Sequence, residues 1–161
     1  MTTIVADQAM GYMAADFQIT SNEGEYAIPC ETKIYEVEIG GDQYLVGLAG
    51  LESPGQIFLD WFTDGDWDEP PEPMISIEEE DDFSAIVLGP SGIEVVDKFM
   101  KLIPIEHRWY AVGTGGPIAW AILEAGCGIV KAMETATRLD PSSGFGFEVK
   151  RLDGTQEVYK P

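Results

Sequence analysis

The chain is poor in positive charge and has no long apolar run. Nine lysines and arginines stand against 29 aspartates and glutamates, which gives a formal net charge of -20 over 161 residues. So acidic a chain is repelled by the nucleic-acid backbone, and we expect no nucleic-acid partner. No apolar run approaches the roughly 18 residues of a membrane-spanning helix, and the first residues lack the basic segment of a secretory signal. We therefore expect a cytoplasmic protein that is not attached to a membrane.

Cysteine and histidine are also scarce, with two and one copies respectively. Cys30 and Cys127 have neither metal-ligand spacing nor the density of a disulfide framework, so we expect free thiols and no metal. The sequence contains no G-x-G-x-x-G and no G-K-[ST], which argues against a nucleotide cofactor. GTGG at 113–116 joins a predicted strand to a predicted helix, where its N–H groups could cradle an anion. We expect no cofactor.

The length and the 45% hydrophobic content are typical of one globular domain, and we assign 1–161 to a single domain. Within it, residues 63–82 are predicted to form an acidic, proline-rich connector. Ten acidic residues fall between Asp64 and Asp82, and three prolines oppose a helix there. We interpret this run as a solvated connector. Metal binding, mimicry of a nucleic-acid surface and adaptation to high salt are alternative explanations of the acidity.

Hydrophobic patterning predicts paired strands interrupted by helices. TTIVAD and GYMAAD form one predicted hairpin, and TKIYEVEI and QYLVGLAG form a second around a Gly-Gly-Asp turn. A helix is predicted to begin at Pro54, since proline suits the first helical position. FSAIVLG and IEVVDKF form a third hairpin, WYAVG is a strand, and an apolar helical stretch follows that is predicted to break at Gly126–Gly128. A last hairpin turns at Asp153-Gly154. This order is typical of two antiparallel sheets packed between outer helices.

Thr2 is the first candidate for chemistry. If Met1 is removed, the α-amine of Thr2 can take the proton of its own hydroxyl, so that one residue supplies both nucleophile and base. The alternative is that Thr2 merely starts a structural strand of β-branched residues.

Lys33 is the second candidate, because it is the only lysine or arginine in the first 97 residues. Near Thr2 its charge would lower the pKa of the hydroxyl and the amine, and Asp16 could balance that charge. A lysine facing solvent between Glu31 and Glu36 is equally compatible with the spacing.

Asp140 and Ser143 follow the last predicted helix. They could form the turn that ends this helix, or they could orient the α-amine of Thr2. The residues alone leave both possibilities open.

Six segments of the chain, taken together, resemble proteasome β-type subunits, the N-terminal threonine hydrolases that include a bacterial threonine peptidase partnered by an ATP-dependent unfoldase. The resemblance spans nearly the whole chain in family order, and its segments are TTIVA (2–6), MAAD (13–16), Lys33, LAG (48–50), VGTGGP (112–117) and DPSSG (140–144). It implies an α+β fold, a four-layer αββα sandwich of two antiparallel sheets of the N-terminal nucleophile hydrolase type. Only one helix follows LAG where the family has two, so the helical layer is expected to be reduced.

The resemblance also implies roles. Thr2 becomes the nucleophile, Asp16 and Lys33 the charged pair that tunes it, and Gly50 the N–H donor of the oxyanion hole. Thr114, where the family usually has serine, and Asp140 and Ser143 support the Thr2 amine. Glu31, Leu48 and Glu52 line the expected substrate pocket, whose acids favour basic side chains.

The predicted function is therefore a threonine-type peptidase that transfers acyl groups from peptide bonds to Thr2 after Met1 is removed. A peptide or unfolded protein is the expected substrate. A homo-oligomer is expected, with the form of any ring open, and an ATP-dependent unfoldase is a possible partner. The alternative is a non-catalytic protein of the same fold that uses its acidic connector as a contact surface.

Overall fold

The computed structural model describes residues 2–21, 26–50, 52–72 and 83–161. These residues form twelve strands and three helices. In chain order the elements are β1 (Ile4–Asp7), β2 (Tyr12–Asp16), β3 (Gln18–Ser21), β4 (Tyr26–Pro29), β5 (Ile34–Ile39), β6 (Asp42–Gly50), α1 (Glu52–Asp64), β7 (Phe83–Gly89), β8 (Gly92–Asp97), β9 (Ile103–Ile105), β10 (Trp109–Val112), α2 (Gly116–Glu124), α3 (Ile129–Leu139), β11 (Phe147–Arg151) and β12 (Gln156–Tyr159).

Two five-stranded antiparallel sheets form the centre of the molecule. The first has the strand order β10-β1-β2-β11-β12 and the second the order β5-β6-β7-β8-β9. The strands β3 and β4 pair separately as a two-stranded antiparallel sheet. The prediction of an α+β fold with two antiparallel sheets is confirmed.

Three buried clusters show that the layers are stacked in the order helix, sheet, sheet, helix. Between the sheets, the cluster includes Ile4 and Met13 from the first sheet and Leu45 and Ile86 from the second. A second cluster joins the first sheet to α2 and α3, and a third joins the second sheet to α1. In the described part of the chain α1 is thus the one helix that packs on the second sheet, which agrees with a reduced helical layer.

Strand β1 is buried on both of its faces. Because side chains alternate across a strand, Ile4 and Ala6 enter the cluster between the sheets, whereas Val5 enters the cluster under α2 and α3. Ile4 and Val5 are 0% exposed. The apolar strand that follows Thr2 and Thr3 therefore anchors the start of the chain to the middle of the sandwich.

Several boundaries differ from the prediction. Helix α1 begins at Glu52, two residues before Pro54, because proline is also tolerated later in the first turn, where N–H groups have no acceptor within the helix. Strands β3, β4 and β9 are not predicted by the sequence. They have only three or four residues each, and so short a stretch gives little periodic signal.

The segment after α1 lies against the helix. Helix α1 extends to Asp64, so the first two residues of the predicted 63–82 connector are helical. The Trp67 ring stacks on Phe62 at a centroid distance of 4.9 Å, and its Nε1 donates to the Phe62 carbonyl oxygen at 3.0 Å. Residues 73–82, the rest of the connector, lie outside the described residues.

Candidate active site

Thr2, Asp16 and Lys33 meet at one edge of the sandwich. Thr2 lies just before β1, Asp16 ends β2 and Lys33 directly precedes β5, so both sheets contribute to the site. The Thr2 Oγ1 donates to Asp16 Oδ1 at 2.5 Å, and Lys33 Nζ donates to the same oxygen at 2.8 Å and also to Thr2 Oγ1. All three residues are buried, with exposures of 3%, 0% and 8%. This excludes the alternative of a solvent-facing Lys33.

The Asp16 carboxylate is fixed by the backbone around it. Its Oδ1 accepts from the Thr3 N–H at 2.9 Å, and its Oδ2 accepts from the N–H groups of Gln18 at 3.1 Å and Gly144 at 3.0 Å. The Gln18 carbonyl oxygen accepts in turn from Lys33 Nζ at 2.5 Å. Hydrogen bonds of this kind offset the cost of burying the charged groups.

A second polar group lies beside the first. The Asp140 Oδ2 accepts from Thr114 Oγ1 at 2.7 Å and from Ser143 Oγ at 2.6 Å. The Ser143 hydroxyl is 2.7 Å from Thr3 Oγ1, so the group reaches Thr2 through its chain neighbour. The Ser143 N–H also donates to the Asp140 carbonyl oxygen at 3.1 Å, which shows that this segment is both a turn and a polar support.

Thr3 is a member of this group that sequence reasoning missed. It is 0% exposed, and its hydroxyl and N–H contact Ser143 and Asp16 respectively. The repeated threonine at the start of the chain was the available signal. Nothing in the local sequence marks Gln18, whose carbonyl group reaches Lys33 only through the fold.

The GTGG segment makes room for the N-terminal residues. Gly113 has φ +89°, and a Cβ at this position would overlap the carbonyl group of Thr2. A Cβ at Gly115 would overlap the Thr3 hydroxyl. These glycines therefore allow Thr2 and Thr3 to approach the backbone closely, and this packing explains the glycines without a bound anion.

A cavity of about 200 Å³ opens beside Thr2. Gly50, which ends β6 with φ +90°, lies at its wall, and so do Leu48 and Glu52. Glu31 is exposed and is not among the described residues that line this cavity. The other residues that line it include Lys33, Thr20, Cys30, Tyr35 and Gln56.

Two groups in the cavity wall have altered acidity. Burial raises the pKa of the Cys30 thiol, although the Lys33 charge partly lowers it. Burial likewise raises the pKa of Tyr35, and the negative charges of Cys30, Glu52 and Glu148 add to this effect. At neutral pH the Cys30 thiol and the Tyr35 hydroxyl are therefore both uncharged.

Among the described residues, no cluster of three or more histidine, cysteine, aspartate and glutamate side chains has the arrangement of a metal site. None of the helices within the described ranges is long and apolar enough to cross a membrane.

Comparison with solved structures identifies the fold. HslV from Trypanosoma brucei superposes with a TM-score of 0.69 and 21% identity, covering 99% of this chain and 100% of that chain. The chain has the proteasome β-type fold. Anbu, an ancestral beta-subunit from Yersinia bercovieri, gives a TM-score of 0.72 at 12% identity and covers 99% of this chain and 87% of that one. BPH from Thiobacillus denitrificans, in complex with epoxomicin, gives a TM-score of 0.64 at 17% identity, and the match covers 99% of this chain and 100% of that one. No family model and no curated protein matched the chain.

Proposed function

We propose that the chain is a threonine-type peptidase that acts once Met1 has been removed. The observation that carries the proposal is the Thr2 hydroxyl held between the Asp16 carboxylate and the Lys33 ammonium in the wall of a cavity. A buried hydroxyl with a cation on one side and a fixed carboxylate on the other is typical of an activated nucleophile.

In the proposed reaction the Thr2 Oγ attacks the carbonyl carbon of a peptide bond and its proton passes to the free α-amine. The Gly50 N–H stabilises the oxygen of the tetrahedral intermediate. The protonated amine then gives its proton to the departing peptide amine, and an ester with Thr2 remains. Water, deprotonated by the same amine, hydrolyses this ester and restores Thr2.

The other polar residues have supporting roles in this proposal. Lys33 lowers the pKa of the Thr2 hydroxyl and amine through its charge, and Asp16 holds Lys33 in place. Thr114, Asp140 and Ser143 form a hydrogen-bonded group that holds the Thr3 hydroxyl and so supports the position of the neighbouring Thr2 amine.

The proposed substrate is a peptide or an unfolded polypeptide with a basic side chain before the cleaved bond. Support comes from Glu52 in the cavity wall, and the exposed Glu31 lies in the chain between Cys30 and Thr32, which both line the cavity. The proposal predicts faster cleavage of arginine-reporter than of leucine-reporter peptides, and the opposite order would overturn the preference. We also propose a homo-oligomer, with an ATP-dependent unfoldase as its partner for folded substrates.

A non-catalytic interaction protein of the same fold is the second candidate. The observation in its favour is the single helix that packs on the second sheet in the described part of the chain. A protein of this kind would use its acidic 63–82 segment as a contact surface and would have no need to lose Met1.

Intact mass after treatment with epoxomicin separates the two candidates. Epoxomicin, the compound named in the BPH structure, is the electrophilic probe. We expect a Met-free chain with a single adduct in the wild type and in Thr2→Ser, which keeps both groups, and no adduct in Thr2→Ala. A chain that retains Met1 and forms no adduct would refute the peptidase and favour the interaction protein.

A further inference from the structure

Strand β11 carries two buried charges that the proposed reaction does not use. Glu148 is 4% exposed and Lys150 is 9% exposed. They are two residues apart on a strand and therefore share a face, with Lys150 Nζ 4.0 Å from Glu148 Oε2. Burying two charges is unfavourable unless both are well satisfied, so their partners define what the pair does.

Those partners are the residues on either side of Lys33. The Thr32 hydroxyl donates to Glu148 Oε1, and Lys150 Nζ donates to the Ile34 carbonyl oxygen at 2.9 Å and to Thr32 Oγ1 at 3.4 Å. The Thr32 hydroxyl also accepts from the Ile34 N–H at 3.1 Å. The backbone is thus held immediately before and immediately after Lys33.

The same strand also holds the partner of Lys33. Strand β11 pairs with β2, and Phe147 lies opposite Asp16 in the register. Glu148 lies opposite Ala15, the residue before Asp16. One strand therefore pairs with the backbone of the strand that ends at Asp16 and also contacts the residues on either side of Lys33.

We propose that Glu148 and Lys150 are positioning residues that hold the Lys33 ammonium against the Thr2 hydroxyl. This inference rests on the proposed role of Thr2 as nucleophile. Lys33 Nζ donates to Thr2, Asp16 and Gln18 at once, so its geometry tolerates little movement of the backbone beneath it. A misplacement of about 1 Å in a catalytic group can lower a rate about 100-fold.

The variants are Lys150→Met and Glu148→Gln, with Arg151→Met as the matched control. Arg151 is the next residue on the strand, but its side chain contacts Glu157 and the Tyr12 ring instead. We measure the rate constant of epoxomicin adduct formation as a function of pH. We also measure hydrogen exchange at the Leu48 amide, which donates to the Lys33 carbonyl oxygen at 3.1 Å and so reports the Lys33 segment without requiring activity.

In Lys150→Met and Glu148→Gln we expect adduct formation to slow at least about tenfold at neutral pH. The pH midpoint should rise, because a displaced Lys33 charge no longer lowers the pKa of the Thr2 amine. Exchange at Leu48 should accelerate in both variants, and Arg151→Met should match the wild type in all three measurements.

The inference would be overturned if adduct formation slowed while its pH midpoint and the exchange rate of the Leu48 amide stayed unchanged. If Lys150→Met does not fold, wild-type behaviour of Glu148→Gln would overturn it as well. A wild-type chain that forms no adduct would refute the proposed function instead. Leu48 exchange would then still decide whether Glu148 and Lys150 hold the Lys33 segment.

Discussion

A double-mutant cycle on Asp16 and Lys33 tests the electrostatics of the site through stability alone. Asp16→Asn leaves the buried Lys33 ammonium without its counter-ion, since the pair is 2.8 Å apart and the side chains are 0% and 9% exposed. Removing one partner of a buried ion pair typically costs about 3–5 kcal/mol, and we expect about 4 kcal/mol here.

Lys33→Met should cost less than Asp16→Asn. The Asp16 carboxylate loses its counter-ion but keeps four donors, namely the Thr2 hydroxyl and the N–H groups of Thr3, Gln18 and Gly144. Because these donors still stabilise the charge, we estimate the loss in the free energy of unfolding at about 2 kcal/mol. The asymmetry follows from the backbone groups that surround the acid.

The double variant has no unpaired buried charge. We therefore expect its free energy of unfolding to fall by about 4 kcal/mol rather than by about 6 kcal/mol, the sum of the two single losses. The assay is urea unfolding, in which the dependence of the free energy of unfolding on urea concentration is compared between variants. Lys131→Met is the control, because Lys131 and Glu134 are 61% and 53% exposed in their ion pair and its loss should cost at most about 1 kcal/mol. Additive losses, or a larger loss for Lys33→Met than for Asp16→Asn, would refute this reasoning.

Two further predictions concern the close packing and the acidity around Thr2. Gly113→Ala should lower the temperature of thermal unfolding much more than Gly126→Ala. Both glycines have a positive φ, but a Cβ added at Gly113 meets the Thr2 carbonyl group, whereas a Cβ added at Gly126 meets open space. Equal losses would show that backbone strain alone matters. Alkylation of Cys30 should reach its half-maximal rate above pH 9.0, since burial raises the pKa of this thiol and its thiolate forms later as pH rises. Lys33→Met should move that midpoint higher, because the Lys33 charge lowers it, and a shift to lower pH would contradict this assignment.

Local patterns predicted most of the elements, and the reason is that each depends on a few adjacent residues. The hairpin of β1 and β2 and the break between α2 and α3 at Gly126–Gly128 are confirmed. The start of α1 at Pro54 is wrong, because the first turn of a helix accepts proline at more than one position. The short strands β3 and β4 were missed because their pairing depends on where the fold places them.

The residues alone were enough to identify the candidates for chemistry. Thr2 follows Met1, Lys33 is the only lysine or arginine in the first 97 residues, and Asp16 closes a predicted strand. Their catalytic roles stay predictions. What the sequence could not decide is whether Lys33 faces solvent, because that depends on contacts between residues 14 to 31 positions apart.

Thr3, Gln18, Glu148 and Lys150 are recognised as part of the site only in the folded structure. Each is an ordinary polar residue in its own segment. Alternation along β11 places Glu148 and Lys150 on the same face, but it does not determine which residues that face contacts. The packing of two sheets determines that it meets the residues beside Lys33. Burial in that interface, where water cannot replace a lost partner, is what turns these side chains into supports of the site.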